Sequence, residues 1–189
     1  MQSQVFLLIL SFILTSVVGG LLGYYFQNRT WKHQNTARLQ ENERLTAKDV
    51  FENISMLMDK RLYRSRLLSW SLEDESVQEE VIEKHMAEYR RILYEWNDTL
   101  IRNLALVEAY FGNDVRQHLE GTVYESFKQI GGLLEKQYKE WKASKQISPI
   151  PATSTELQKL GNEIYRLNFS MIRLIQSGKV GVFNPGAKR

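Results

Sequence analysis

A run of uncharged residues from Val5 to Phe26, VFLLILSFILTSVVGGLLGYYF, constrains this chain more than anything else in it. As one helix it is long enough to cross the roughly 30 Å hydrocarbon core of a bilayer. A cleaved signal peptide is the rival reading. Met1 to Gln4 carries no basic residue, however, the apolar stretch is too long, and no small-x-small site follows it. The expectation is a permanent transmembrane anchor over residues 1–26, with the lipid bilayer as partner.

The flanks orient that anchor. No Lys or Arg precedes it, whereas Arg29, Lys32, Arg38 and Arg44 come closely after, so the positive-inside bias places the bulk of the chain in the cytoplasm and the N-terminus outside a prokaryotic inner membrane. Tyr24, Tyr25, Phe26 and Trp31 fall at the headgroup level, which suits their amphipathic rings. Ser11, Thr15, Gly19 and Gly23 recur every fourth residue and line one face with small side chains. Such a stripe admits a second helix at close range and predicts a homo-oligomer; the alternative is a monomeric anchor.

About 160 residues come after the span, enough for one soluble domain with its own core. The absence of cysteine excludes disulfides, thiol nucleophiles and Cys-ligated zinc. The net charge of +3 is small and concentrated beside the apolar run and at the C-terminus, where anionic lipid explains it as well as nucleic acid would. A nucleic-acid partner is permitted but not demanded.

Residues 27–45 are polar on nearly every face and read as a helical stalk. Thr46 and Asp49 form a T-x-x-D pattern, a capping box where the chain could bend into the next helix, with a continuous helix as the alternative. Val50, Ile54, Leu57, Met58, Leu68 and Leu72 keep helical spacing up to the acidic SLEDES turn. Ser76 with Glu79 suggests a second capping box, opening a long helix whose face carries Ile82, Tyr89, Ile92, Leu93, Trp96, Leu100, Val107 and Tyr110 up to Gly112. A third helix carries Leu119, Val123, Phe127, Ile130, Leu134, Tyr138 and Trp141, with Gly131 and Gly132 explained by close packing. After the Pro-bearing ISPIPAT linker, Thr153 and Glu156 open a fourth through Leu157, Leu160, Ile164, Leu167, Met171 and Leu174 to Gly178. The expected fold is all-α. It comprises the anchor, a stalk, a cytosolic antiparallel four-helix bundle over residues 46–177, and a flexible basic tail over 178–189.

Catalytic, cofactor-binding and metal-binding constellations are not found. There is no phosphate loop, HExxH or G-x-S-x-G motif, and no histidine has a second histidine at i+3 or i+4. The expectation is a protein without enzymatic activity. One polar group stands out: at 100° per residue, Arg61 lies about 20° from the centre of the apolar stripe, with Arg64 flanking it. Folding back about the SLEDES turn sets Arg61 level with Glu88 and Arg64 level with His85, giving either a polar pocket for an anionic ligand or ordinary rim pairs. Asn103 falls on the apolar face of the second long helix, where a buried amide fixes register.

A single N-terminal span followed by a cytosolic helical bundle resembles the membrane-anchored HEPN-like accessory proteins of prokaryotic antiviral defence, in particular those of type VI CRISPR systems. HEPN ribonucleases share an Arg, often followed by Asn, with a His a few residues on. Here Arg102-Asn103 begins such a string but Glu108 stands where the His could be, and His118 is too far along. The resemblance therefore implies a degenerate bundle that does not cleave RNA. It also implies an oligomeric pore gated by a protein or nucleotide trigger. The alternatives are a membrane-tethered HEPN-like bundle that binds or cleaves nucleic acid, and an assembly scaffold without a channel.

Overall fold

The computed structural model describes residues 2–144 and 151–186, and every regular element among them is helical. The order is α1 (Gln2–Glu73), α2 (Glu79–Phe111), α3 (Asn113–Gln117), a π-helical segment (His118–Tyr124), α4 (Glu125–Ser144), α5 (Pro151–Gln176) and a 3₁₀ turn (Gly181–Phe183). The chain divides into two compact units, residues 1–42 and 43–189.

In the first unit every residue from Leu10 to Asn42 is exposed. The apolar stretch has no cover of its own, and it is long and apolar enough to cross a membrane. Its helix is held by backbone bonding, with the Thr15 hydroxyl donating to the Ser11 carbonyl at 2.8 Å.

The second unit has one apolar core, drawn from α1 (Ala47 to Leu72), α2, α3, the π segment, α4, α5 and Val180. The start expected at Thr46 does not form, because α1 is already helical there. Between Tyr24 and Glu73 the sequence has neither Gly nor Pro, so nothing stops helix propagation, and the backbone N–H groups that a cap would serve lie inside the helix. α1 ends at the acidic turn, where the Asp74 carboxylate accepts from the Ser76 N–H (2.9 Å) and hydroxyl (2.6 Å). These bonds hold Asp74 below the usual carboxylate range. They also occupy Ser76, so it does not cap α2. The N-cap is Gln78, in extended conformation without a side-chain cap bond, and Glu79 and Glu80 in the first turn complement the helix dipole.

Gly112 joins α2 to α3 at φ 89°, a conformation that favours glycine; its N–H donates to Glu108 and its carbonyl accepts from Arg116. The single third helix expected from periodicity is α3, the π segment and α4 in succession. Val115, Leu119, Val123 and Phe127 are all buried at four-residue spacing. In a pure α-helix that spacing overshoots a turn by about 40° per step. The wider π turn takes up the excess and keeps the four on one face.

Of the ISPIPAT linker, residues 147–150 lie outside the described residues. α5 starts at Pro151, a residue suited to a first turn because it lacks the N–H that would go unbonded there. Thr153 is therefore inside the helix and fully buried instead of capping it. α5 closes in a Schellman arrangement: Lys179 N–H to Leu174 (3.0 Å), Gly178 N–H to Ile175 (3.1 Å), and Gly178 at φ 67°. The chain beyond it packs through residue 186. Val180 is fully buried, and the Asn184 amide donates to the Tyr110 carbonyl at 3.4 Å.

Candidate functional site

Arg61 stands on the buried stripe of α1, between Met58 and Leu68, and is only 2 % exposed. Its guanidinium carbon lies 4.4 Å from the ring centroid of Phe127 and 5.5 Å from that of Trp96. These two rings are themselves 5.8 Å apart, so the cation sits against an aromatic pair contributed by α2 and α4. Nε and Nη1 have no hydrogen-bond partner among the described residues. Burial pushes the guanidinium down from its ordinary value, while Tyr89 and Tyr124 work in the other direction. A buried unpaired charge costs several kcal/mol, and cation–π contact returns about 0.5 to 2 of these. The site is therefore short of a counter-charge.

A pocket of about 280 Å³ opens beside this cation. Its walls are Tyr89, Leu93, Tyr124 and Phe127, with Asn97 and Lys128 as further polar groups. Gly131 and Gly132 line it without side chains. A Cβ on Gly131 would lie 2.6 Å from the Tyr89 hydroxyl, whereas one on Gly132 would meet nothing within 4 Å. Burial raises Tyr89 above the usual phenol range, so its hydroxyl is protonated at neutral pH. Glu135, also at the pocket, is held by Arg90 through two bonds of 3.0 and 2.9 Å.

The pairing expected around Arg61 is corrected. Glu88 bonds Arg64, not Arg61, and Lys60 faces Glu95 at 3.8 Å. A fold-back centred on the SLEDES turn would give the expected pairs, but α2 begins only at Glu79, so the pivot moves toward Val77 and the facing residues slip by about one turn. His85 is left out of the Arg64 contact and keeps a buried Nδ1 without a partner among the described residues.

The remaining candidates stand apart from this pocket. Asn103 is buried, and its amide donates to Thr99 on its own helix at 3.1 Å. Arg102 is exposed, and Glu108 pairs with Arg116 at 3.5 Å. His118 meets Glu163 at 3.1 Å. Ser11, Thr15, Gly19 and Gly23 are exposed, with nothing within 4 Å of a Cβ on either glycine. A wider hollow of about 640 Å³ lies between the α2–α3 junction, α5 and residues 184–186, but its arginines are engaged: Arg166 with Glu163 and Arg173 over Phe169.

Sequence reasoning reaches Arg61 through its angle on the stripe and misses its surroundings, since periodicity marks Trp96 and Phe127 only as core. The adjacent glycines on a helix otherwise spaced for burial are the available signal for a cavity. No group of three or more His, Asp or Glu side chains able to hold a metal occurs among the described residues. The chain matches no protein-family model, no curated protein and no solved structure.

Proposed function

We propose that this chain is a non-enzymatic, oligomeric single-pass membrane protein. In this reading its N-terminal helices associate to form or gate a pore, as in a defence-type effector, while the domain after residue 42 receives a cytosolic signal. The exposure of the apolar stretch carries the reading. Leu14, Leu21 and Phe26 are all more than half exposed on the chain, and bilayer insertion removes that surface from water at about 25 cal/mol per Å². The bare glycine stripe supports close approach of a second span. The basic residues after Phe26 support a cytoplasmic location for the second unit.

We read the second unit as an antiparallel four-helix bundle. The ordering of cross-helix pairs favours this. From Lys60 to Arg64 on α1 the partner on α2 falls from Glu95 to Glu88, and from Glu83 to Arg90 on α2 the partner on α4 falls from Tyr138 to Glu135. Ser55 on α1 bonds Asn168 on α5 at 2.7 Å, closing the set.

Cross-linking in detergent and dye leakage from liposomes test the proposal together. Gly19→Leu and Gly23→Leu are expected to reduce both oligomer size and leakage, with Leu21→Ala, on the opposite face, leaving both intact. Unchanged oligomers in both glycine variants would move the interface out of the span. Tight oligomers that never leak would leave the scaffold. RNA cleavage lost on Arg102→Ala would overturn the non-enzymatic assignment.

A further inference from the structure

We infer that the Arg61 pocket binds a small organic anion with a planar apolar body, its carboxylate or phosphate group supplying the counter-charge that Arg61 lacks. The charge balance is the first ground. Arg61 is almost wholly buried, and two of its three guanidinium nitrogens are unbonded among the described residues. The acids on the packed helices are committed elsewhere, Glu88 to Arg64 and Glu135 to Arg90. With Glu135 neutralised by Arg90 and Lys128 facing Glu125 at 3.5 Å, Arg61 is the cation of the pocket lining that has no carboxylate among the described residues. A charge held in this way is stabilised by an anion that brings its own negative group into the low-dielectric space.

The shape of the pocket is the second ground. At about 280 Å³ it lies just below the range of drug-sized ligand sites, which limits the occupant to a compact molecule. Tyr89, Tyr124 and Phe127 present rings and Leu93 an aliphatic wall, a lining suited to a flat apolar body, while Asn97 offers an amide to orient it. Gly132 is the third ground. Glycine weakens a helix, and at this position no neighbour requires it, since a Cβ would stand in open space. As a lining residue without a side chain, it leaves that part of the pocket wall bare. The inference stands on the pocket alone, so it holds or fails independently of pore formation.

Thermal melts of the full-length protein in detergent micelles test it, with phenyl phosphate and benzoate as probes. Sodium chloride at matched ionic strength and benzyl alcohol are the controls. One or both aryl anions should raise the melting temperature, by an amount that grows with the logarithm of concentration, and neither control should. The two probes separate a phosphate site from a carboxylate site. Arg61→Met replaces an unpaired buried charge by an apolar chain, so it should melt at or above wild type without ligand and show no anion response. Gly132→Leu adds a bulky side chain to the lining while retaining Arg61 and should weaken binding at least tenfold. Absence of a rise with both anions in wild type would overturn the proposal, as would an equal rise with benzyl alcohol or undiminished responses in both variants. A loss of stability in Arg61→Met, combined with a silent wild type, would assign the guanidinium to packing against Phe127.

Discussion

Two stretches of α1 treat their apolar residues in opposite ways. Residues 10–26 carry them around the whole helix and leave them exposed, Leu14, Leu21 and Phe26 among them; residues 47–72 carry them on one stripe and bury them, with Ile54, Met58 and Leu68 at 1 % exposure or less. Both stretches satisfy their backbone hydrogen bonds, so helix formation does not distinguish them. The width of the apolar face does. A stripe can be covered by other helices of the same chain, whereas a full circumference needs an apolar solvent or further copies around it.

The difference can be broken from either side. Leu68→Ala opens a cavity in the core and is expected to cost about 2 to 5 kcal/mol of folding stability. Melting in detergent should drop clearly while membrane recovery on fractionation stays as in wild type. Leu14→Arg, near the middle of the first stretch, is expected to cost about 2.5 to 3.5 kcal/mol of insertion. Its signature is reversed, with protein lost from the membrane fraction and the core transition unmoved. If Leu14→Arg lowered the core transition as Leu68→Ala does, the two stretches would not be independent.

Gly181→Ala is a smaller perturbation, directed at the side of α1 that meets the C-terminal segment. Gly181 sits at φ 55°, and a Cβ there would fall 1.5 Å from the Glu43 carboxylate. Left-handed backbone costs a non-glycine residue about 1 to 2 kcal/mol before the clash is counted. Glu43→Ala in the same chain should recover the clash but not the backbone strain, so a double-mutant cycle by thermal melting separates the two.

The smallest effect is expected at the α1–α2 pair. Arg64 and Glu88 side chains are 28 % and 26 % exposed, so Glu88→Gln should cost about 1 kcal/mol or less, fading as salt is raised. Arg61→Met should not show this salt dependence. A salt-sensitive Arg61 variant with an indifferent Glu88 variant would restore the pairing that the turn length argues against.

Much of the core is legible from periodicity. All six apolar positions named for α1 are buried, as are all seven from Leu119 to Trp141. Local start signals are less informative. Of the three Ser/Thr capping patterns in the sequence, none starts a helix, each for its own reason. At Thr46 the chain is helical beforehand, at Ser76 the side chain bonds Asp74, and before Thr153 Pro151 has already begun the turn. A capping pattern describes what a side chain can do at a helix start; whether the start is there depends on the residues before it. The π segment is equally invisible, because four-residue spacing from Val115 to Phe127 reads as ordinary amphipathicity until burial on one face requires the wider turn.

By itself, the sequence determined that the described chain is helical, most of the residues that enter its core, and that one stretch is apolar on all sides. These properties arise from composition and spacing within single segments, where the physics is local. The surroundings of Arg61 were decided only in the tertiary structure. Its angle on the stripe put it inside, but whether it meets a carboxylate or two aromatic rings depends on where the α1–α2 turn pivots and how α4 lies against both. A shift of one turn gives Glu88 to Arg64 and leaves Arg61 against Phe127 and Trp96. The register of one helix against another is set by turn length and by the packing of large side chains far apart in the sequence, and no single segment carries that information.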